Sequence, residues 1–377
     1  MTDYDWLIVG AGFTGAVLAE RLANKCGARV LLVDRRDHIG GNAYDTRNEA
    51  GLLYHKYGPH VFHTNSKAIF DYLSQFTAWT PYEHKTLGLI KERLVPIPFN
   101  LTSLSLLFPR AEAARLTGLL IGKYGLEANV PILDLKSAAD SALNDLAAFI
   151  YENVFYGYTT KQWGLTPEQL SPSVTGRVPV RVSYDDRYFL DAFQCMPSDG
   201  YTPVFERMLK SKNIDVVLNT GFKDVKAQAR FKRVIYTGAI DEFFDYELGA
   251  LPYRSLDFDF QTHRQKRHQL VCTVNYPTSQ KFTRITEMGY LTQEWGDLTT
   301  LALEYPQEHV PNKTEPYYPI PREENNVLHN KYIEFARREA PEVTFAGRLG
   351  DYKYYNMDQA IGRALSLFDK ISEDMQA

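Results

Sequence analysis

The chain has 377 residues, 44% of them apolar and 23% charged, and carries a net charge of −4. That length exceeds one ordinary core and points to two or three subdomains, while the acidic balance offers no basic field for nucleic acid, so an anionic ligand must be held by local arginines. No apolar run reaches the length of a membrane span, Met1-Thr2-Asp3-Tyr4 leads straight into a first strand, and Cys26, Cys195 and Cys272 lack metal-ligand spacing; the expectation is a cytoplasmic protein with no metal site and no membrane insertion.

The first elements are the most informative. Leu7 to Val9 reads as a short buried strand, and Gly10, Gly12 and Gly15 form a G-x-G-x-x-G turn into a helix from about Phe13 to Asn24. Such a turn brings backbone N–H groups and a helix N-terminus to a pyrophosphate, and Asp34, after the strand Arg29 to Val33, is placed to accept from a ribose hydroxyl. This motif alone would serve NAD, or arise by structural coincidence. Joined to the doublet Gly40-Gly41 a few residues later, it points to FAD. The expected cofactor contacts here are Gly10, Gly12, Phe13, Thr14, Gly15, Asp34, Arg35, Gly41 and Asn42.

Further along, Gly58-Pro59 and Leu94-Val95-Pro96-Ile97-Pro98 punctuate extended segments, and the spacing from Ala111 to Leu120 and Lys136 to Glu152 predicts helices. Trp163 to Arg177 is rich in Pro, Ser, Thr and Gly, a composition suited to a mobile lid. Val216 to Leu218 and Val234 to Gly238 read as later strands of the nucleotide-binding sheet. Between Leu251 and Tyr318 the alternation in LVCTVNY, FTRITEM and TTLALEY predicts a half-buried antiparallel sheet, and the C-terminal segment returns to a strand, a glycine turn and a helix. The fold class expected is α/β: a discontinuous Rossmann-like FAD-binding domain (1–80, 201–242, 335–377), a helical insertion (101–177) and an antiparallel sheet domain (81–100, 178–200, 243–334).

Nine blocks in order carry a family likeness: YHKYGPHVFHTN, PIPFN, GYTTKQWG, the Arg177 to Tyr188 stretch, GYTPVFERML, YTGAIDEFFDYELGALPYRSL, FTRITEM, EPYYPI and AGRLGDYKYYNMD. Across nearly its whole length the chain resembles the bacterial UDP-galactopyranose mutases. The resemblance implies a flavoenzyme that interconverts UDP-galactopyranose and UDP-galactofuranose without net redox change, through a flavin N5–sugar adduct of reduced FAD. It also implies a cellular flavin reductant, a role in cell-surface polysaccharide synthesis and a possible homodimer.

By the same resemblance, Arg177 and Arg284 clamp the substrate diphosphate, a task that suits forked guanidinium groups. His60 and His63 lie beside the flavin, where they tune its protonation, hold the sugar or simply pack. Phe155, Tyr158, Thr159 and Trp163 bind uridine; Tyr188, Asn275, Tyr318 and Tyr354 reach the diphosphate region. Arg348, Asn356 and Met357 meet the cofactor, with Asp358 nearby. Val154, Asn356 and Ser198-Asp199 depart from the common pattern. They leave mutase chemistry on UDP-N-acetylgalactosamine or a dTDP-deoxyhexose as alternatives, beside an amine-oxidase-type flavin oxidoreductase and a silent flavin-binding protein.

Overall fold

The computed structural model describes residues 3–171, 178–226, 229–278 and 280–376. Five parallel strands form one sheet in the order Ile214–Val217, Val30–Val33, Asp3–Val9, Arg230–Tyr236 and Val343–Phe345. The chain thus assembles this sheet from its beginning, middle and end. All four residues of Val30–Val33 are buried because both faces are covered. Ile8, Val30 and Leu32 meet the helix Phe13–Lys25 and the C-terminal helix Met357–Gln376, whereas Leu7, Leu31 and Val33 meet Val225 and Val234 on the other side.

The glycine turn explains the tight passage from strand to helix. Gly10 has φ +106°, and a Cβ on Gly15 would lie 1.9 Å from the Gly10 carbonyl oxygen, so neither position tolerates a side chain. The helix runs one residue further than predicted and buries Ala16, Val17, Ala19, Leu22 and Ala23. Small residues there let it lie close on the C-terminal helix.

A second sheet has seven strands in the order Tyr318–Pro319, Tyr253–His263, Thr299–Glu308, Arg284–Glu287, Thr273–Asn275, Thr86–Ile90 and Arg93–Ile97. Its pairings are antiparallel except that Thr273–Asn275 runs parallel to Thr86–Ile90. Those two strands are joined by no hairpin, so no turn imposes their relative direction.

The helical insertion differs from its expected outline. In place of one helix over 136–152 there are a short helix Ile132–Lys136 and a second, Ser141–Ile150. Asp140 causes the restart: its carboxylate accepts from Ala142 N and Leu143 N at 2.9 and 3.1 Å, capping the second helix. That helix passes into a π-helical stretch, Tyr151–Tyr156, and then into Gly157–Trp163, which ends at Gly164 with φ +67°. Leu104, Leu116, Leu143 and Ile150 pack with Ile90 and Val95 of the seven-stranded sheet, anchoring the insertion to it.

Two elements cross the boundaries drawn from sequence. Phe193–Pro197 pairs with Phe62–Thr64 and Trp79–Pro81 in a small three-stranded sheet. Helix Glu323–Glu339 runs through the division at residue 334, because Tyr332 and Ala336 pack as one stripe with Ala239, Ile240 and Leu251.

Candidate active site

Three glycine turns converge on the N-terminus of helix Phe13–Lys25. Its N-cap, Gly12, has no side-chain cap, so the first-turn N–H groups are not consumed by one. Gly41 lies against it; a Cβ there would come within 2.8 Å of Gly12 Cα, and its φ is +56°. Gly347, from the far end of the chain, sits over the same turn, where a Cβ would lie 3.0 Å from Thr14 Oγ1. An uncapped helix N-terminus ringed by backbone without side chains suits a diphosphate.

The other residues expected at this end have definite surroundings. Asp34 is buried and accepts from Ala11 N at 2.7 Å and from Arg36 N at 2.9 Å, so its carboxylate fixes both turns while keeping further lone pairs. Arg35 pairs with Glu242 and Glu315 at 3.1 and 3.0 Å. Asn42 accepts from Arg36. The Phe13 ring packs into the core against Tyr201 and Phe205, leaving its backbone N–H as the group it can offer a ligand.

Beside this turn opens a cavity of about 1310 Å³. Of the residues expected at the site, His60, His63, Phe155, Tyr158, Thr159 and Trp163 line it, as do Tyr188, Asn275, Arg284, Tyr318 and Tyr354. Asn42, Arg348, Asn356 and Met357 line it too, whereas Gly10, Gly12, Phe13, Thr14, Gly15, Asp34, Arg35 and Gly41 lie outside this lining, in the turns that follow the inner strands Asp3–Val9 and Val30–Val33. Arg177 and the end of the expected lid, 172–177, fall outside the described residues.

Within the cavity the principal cation is held rigidly. Arg284 starts the strand Arg284–Glu287, and its Nε and Nη2 both donate to Glu304 Oε2, at 2.9 and 2.7 Å. Both donors go to one oxygen, so Nη1 stays outside the pair. Glu304 is 1% exposed, whereas a quarter of the Arg284 side chain is open. Burial pulls the guanidinium pKa down, but Glu304 and the neighbouring tyrosines outweigh it and hold the pKa well above the usual arginine range.

Aromatic rings line the same cavity. Tyr318 and Tyr354 lie 4.9 Å apart, with Trp163 6.1 and 5.8 Å from them. Arg348 lies over both tyrosines and donates to the Tyr317 and Tyr355 carbonyls at 3.3 and 2.8 Å. Burial pushes the Tyr158 and Tyr318 hydroxyls far above their ordinary pKa, so they act as neutral donors and acceptors. The buried Oδ1 of Asn275 and Oε1 of Gln162 have no partner among the described residues. Unspent hydrogen-bonding capacity of that kind belongs to a site built for a polar ligand.

His60, His63 and His84 also line the cavity. His60 Nδ1 lies 2.8 Å from the Gly58 carbonyl, and burial with His55 alongside lowers its pKa to about 3. His84 is lowered to about 3 by burial and Arg284, and bridges Tyr82 and Thr86. His63 pairs through Nδ1 with Asp191 Oδ2 at 2.9 Å. Sequence reasoning passed over Glu304, His84 and Asp191. Glu304 reads as an outward polar residue in TTLALEY, and only the strand register, which sets it opposite Arg284, reveals it.

The uncapped turn and the Rossmann-like sheet are those of a dinucleotide-binding α/β protein, and the arginine-bearing aromatic cavity beside them suits an anionic, ring-bearing ligand. A sequence profile described as an NAD(P)-binding Rossmann-like domain matches residues 8–76, and one described as UDP-galactopyranose mutase matches residues 153–354. The chain belongs to the UDP-galactopyranose mutase family, whose members are isomerases. It is 36% identical to a probable UDP-galactopyranose mutase of Klebsiella pneumoniae, over 98% of this chain and 95% of that protein. Identity to the dTDP-fucopyranose mutase of Escherichia coli is 35%, covering 95% of this chain and 96% of the relative. The crystal structure of a reduced UDP-galactopyranose mutase has the same fold, with a TM-score of 0.76 at 16% identity over 99% of this chain and 94% of that one. Among the described residues no helix is long and apolar enough to cross a membrane.

Proposed function

We propose that the protein interconverts UDP-galactopyranose and UDP-galactofuranose with bound FAD in its reduced form. The observation that carries the reading is Arg284, locked by a buried carboxylate in the cavity that Trp163, Tyr318 and Tyr354 also line. When bound and reduced, the flavin supplies the nucleophile for the anomeric carbon, which explains why the site need not provide a nucleophilic side chain.

The remaining tasks fall to this chain. Gly12 to Gly15, Gly41, Asn42 and the Gly347-Arg348 turn hold the cofactor, with Asp34 at its ribose and Asn356 and Met357 beside it. Arg284, with Arg177, takes the diphosphate as negative charge develops on the leaving group, and Lys could not replace the fork. Phe155, Tyr158, Thr159 and Trp163 receive the uracil ring by stacking. Tyr188, Asn275, Tyr318 and Tyr354 donate neutral hydrogen bonds around the phosphates, and His60 stays uncharged beside the flavin.

A second reading keeps this chemistry and changes the sugar nucleotide. The dTDP-fucopyranose mutase is nearly as similar as the first relative, and Val154 lines the cavity where it leaves room near the base. Chromatographic conversion of UDP-galactofuranose, dTDP-fucofuranose and UDP-N-acetylgalactosamine by the purified holoprotein, oxidised and dithionite-reduced, separates the readings. Conversion of UDP-galactofuranose only when reduced, with no reductant consumed per turnover, is expected; preference for the dTDP sugar would change the substrate, and net oxidation of any compound would overturn the mutase.

A further inference from the structure

His63 is held through one ring face and through Nδ1, and it lines the cavity. Its strand, Phe62–Thr64, pairs with Phe193–Pro197, and the turn before that partner strand carries Phe189 and Asp191. Phe189 stacks on the imidazole at 3.6 Å with planes 14° apart. Asp191 Oδ2 meets Nδ1 at 2.9 Å, and Asp191 Oδ1 accepts from Asn65 Nδ2 at 2.9 Å. Asn65 is pinned in turn, because its Oδ1 accepts from Ala192 N at 2.9 Å. His63 lines the cavity, and its Nε2 has no hydrogen-bond partner among the described residues.

An ionised carboxylate only accepts, so the proton of a neutral His63 must sit on Nδ1. We propose that Asp191 is a positioning residue that fixes His63 in this tautomer and so presents Nε2 as the proton acceptor for a substrate hydroxyl. The proton leaving that oxygen moves to Nε2, and the imidazolium formed is paired with the Asp191 carboxylate; the reverse step returns the proton to the oxygen. The identity of the hydroxyl-bearing ligand rests on the sugar-nucleotide reading above, whereas the tautomer does not.

The chain of pinned groups makes Asp191→Asn a sharp test. Ala192 N holds the orientation of Asn65, whose Nδ2 then demands an acceptor from residue 191. The new amide must give its oxygen to Asn65 and its NH2 to His63 Nδ1, which forces the proton to Nε2 and removes the acceptor. Removing Asn65 lifts that demand and frees the amide to turn its oxygen to His63.

Nitrogen-15 spectra of the histidines in reduced holoenzyme, assigned by loss of signals in His63→Gln, should show Nδ1–H in the parent, Nε2–H in Asp191→Asn and recovery of Nδ1–H in Asn65→Ala/Asp191→Asn. Turnover should fall about 100-fold or more in Asp191→Asn with KM changed less than about threefold, and recover by at least about tenfold in the double variant. An unchanged tautomer in Asp191→Asn, or a changed tautomer with undiminished turnover, overturns the proposal. If the parent converts no sugar nucleotide, the mutase reading fails, and the substrate-hydroxyl role fails with it, while the spectra still decide what Asp191 does to His63.

Discussion

Arg284 is asked to do two things that substitution can separate. In the proposed reaction it meets the diphosphate, and in the fold it neutralises Glu304, which is 1% exposed. Arg284→Ala should therefore lower turnover at least about 100-fold and also destabilise the fold by about 3–5 kcal/mol, since it strands a buried charge. Arg284→Ala/Glu304→Gln should regain most of that stability without regaining activity; a melting temperature that stays low in the double variant, or activity that returns, would contradict the division of roles. The task proposed for Trp163 is simpler, stacking on the uracil ring: Trp163→Ala should weaken UDP binding by about 1–3 kcal/mol in calorimetry while cofactor binding is unchanged. The roles expected for both residues came from motif position, but the carboxylate behind Arg284 could not, because alternation in a strand tells which face a side chain occupies and not what stands opposite. Only the pairing of Arg284–Glu287 with Thr299–Glu308 supplies that.

At the level of elements, the glycine turns were legible because they follow from backbone geometry alone. Gly41→Ala places a methyl carbon 2.8 Å from Gly12 Cα at a positive φ, so the turn must shift away from the helix N-terminus. The purified variant should lose most of its bound flavin, seen as lost yellow absorbance, while far-ultraviolet circular dichroism stays near the parent; full flavin occupancy would refute the packing argument. The insertion was less legible. Its apolar periodicity continues across Ser137 to Asp140, and only the capping by Asp140 shows that the helix starts again. Loss of that cap in Asp140→Ala should cost about 1 kcal/mol in denaturant unfolding. The crossing of Glu323–Glu339 over an inferred boundary has a similar origin, since composition changes where the fold does not.

The whole molecule carries its buried histidines as a pH dependence. His55 and His84 are 2% and 7% exposed, and burial lowers their pKa values to about 4 and about 3. In the unfolded chain both take protons from about pH 6.5 downward, whereas the folded protein refuses them. Their contribution is thus complete above pH 6.5 and is lost as pH falls toward 4, at about 1.4 kcal/mol per pH unit for each group while only the unfolded state is protonated. Denaturant midpoints at pH 7 and pH 5, with His84→Gln as the comparison, should show the smaller acid loss in the variant.

Gly347 rests against Thr14, and the strand Val343–Phe345 completes the edge of the sheet that Asp3–Val9 begins. The proposed cofactor cradle is therefore built from two segments, one around Gly10 to Gly41 and the other at Gly347, far apart in the chain. If the flavin sits there as proposed, a first strand and helix folded without the Gly347 turn would leave the cradle open, so bound cofactor would report that two segments far apart in the chain have met.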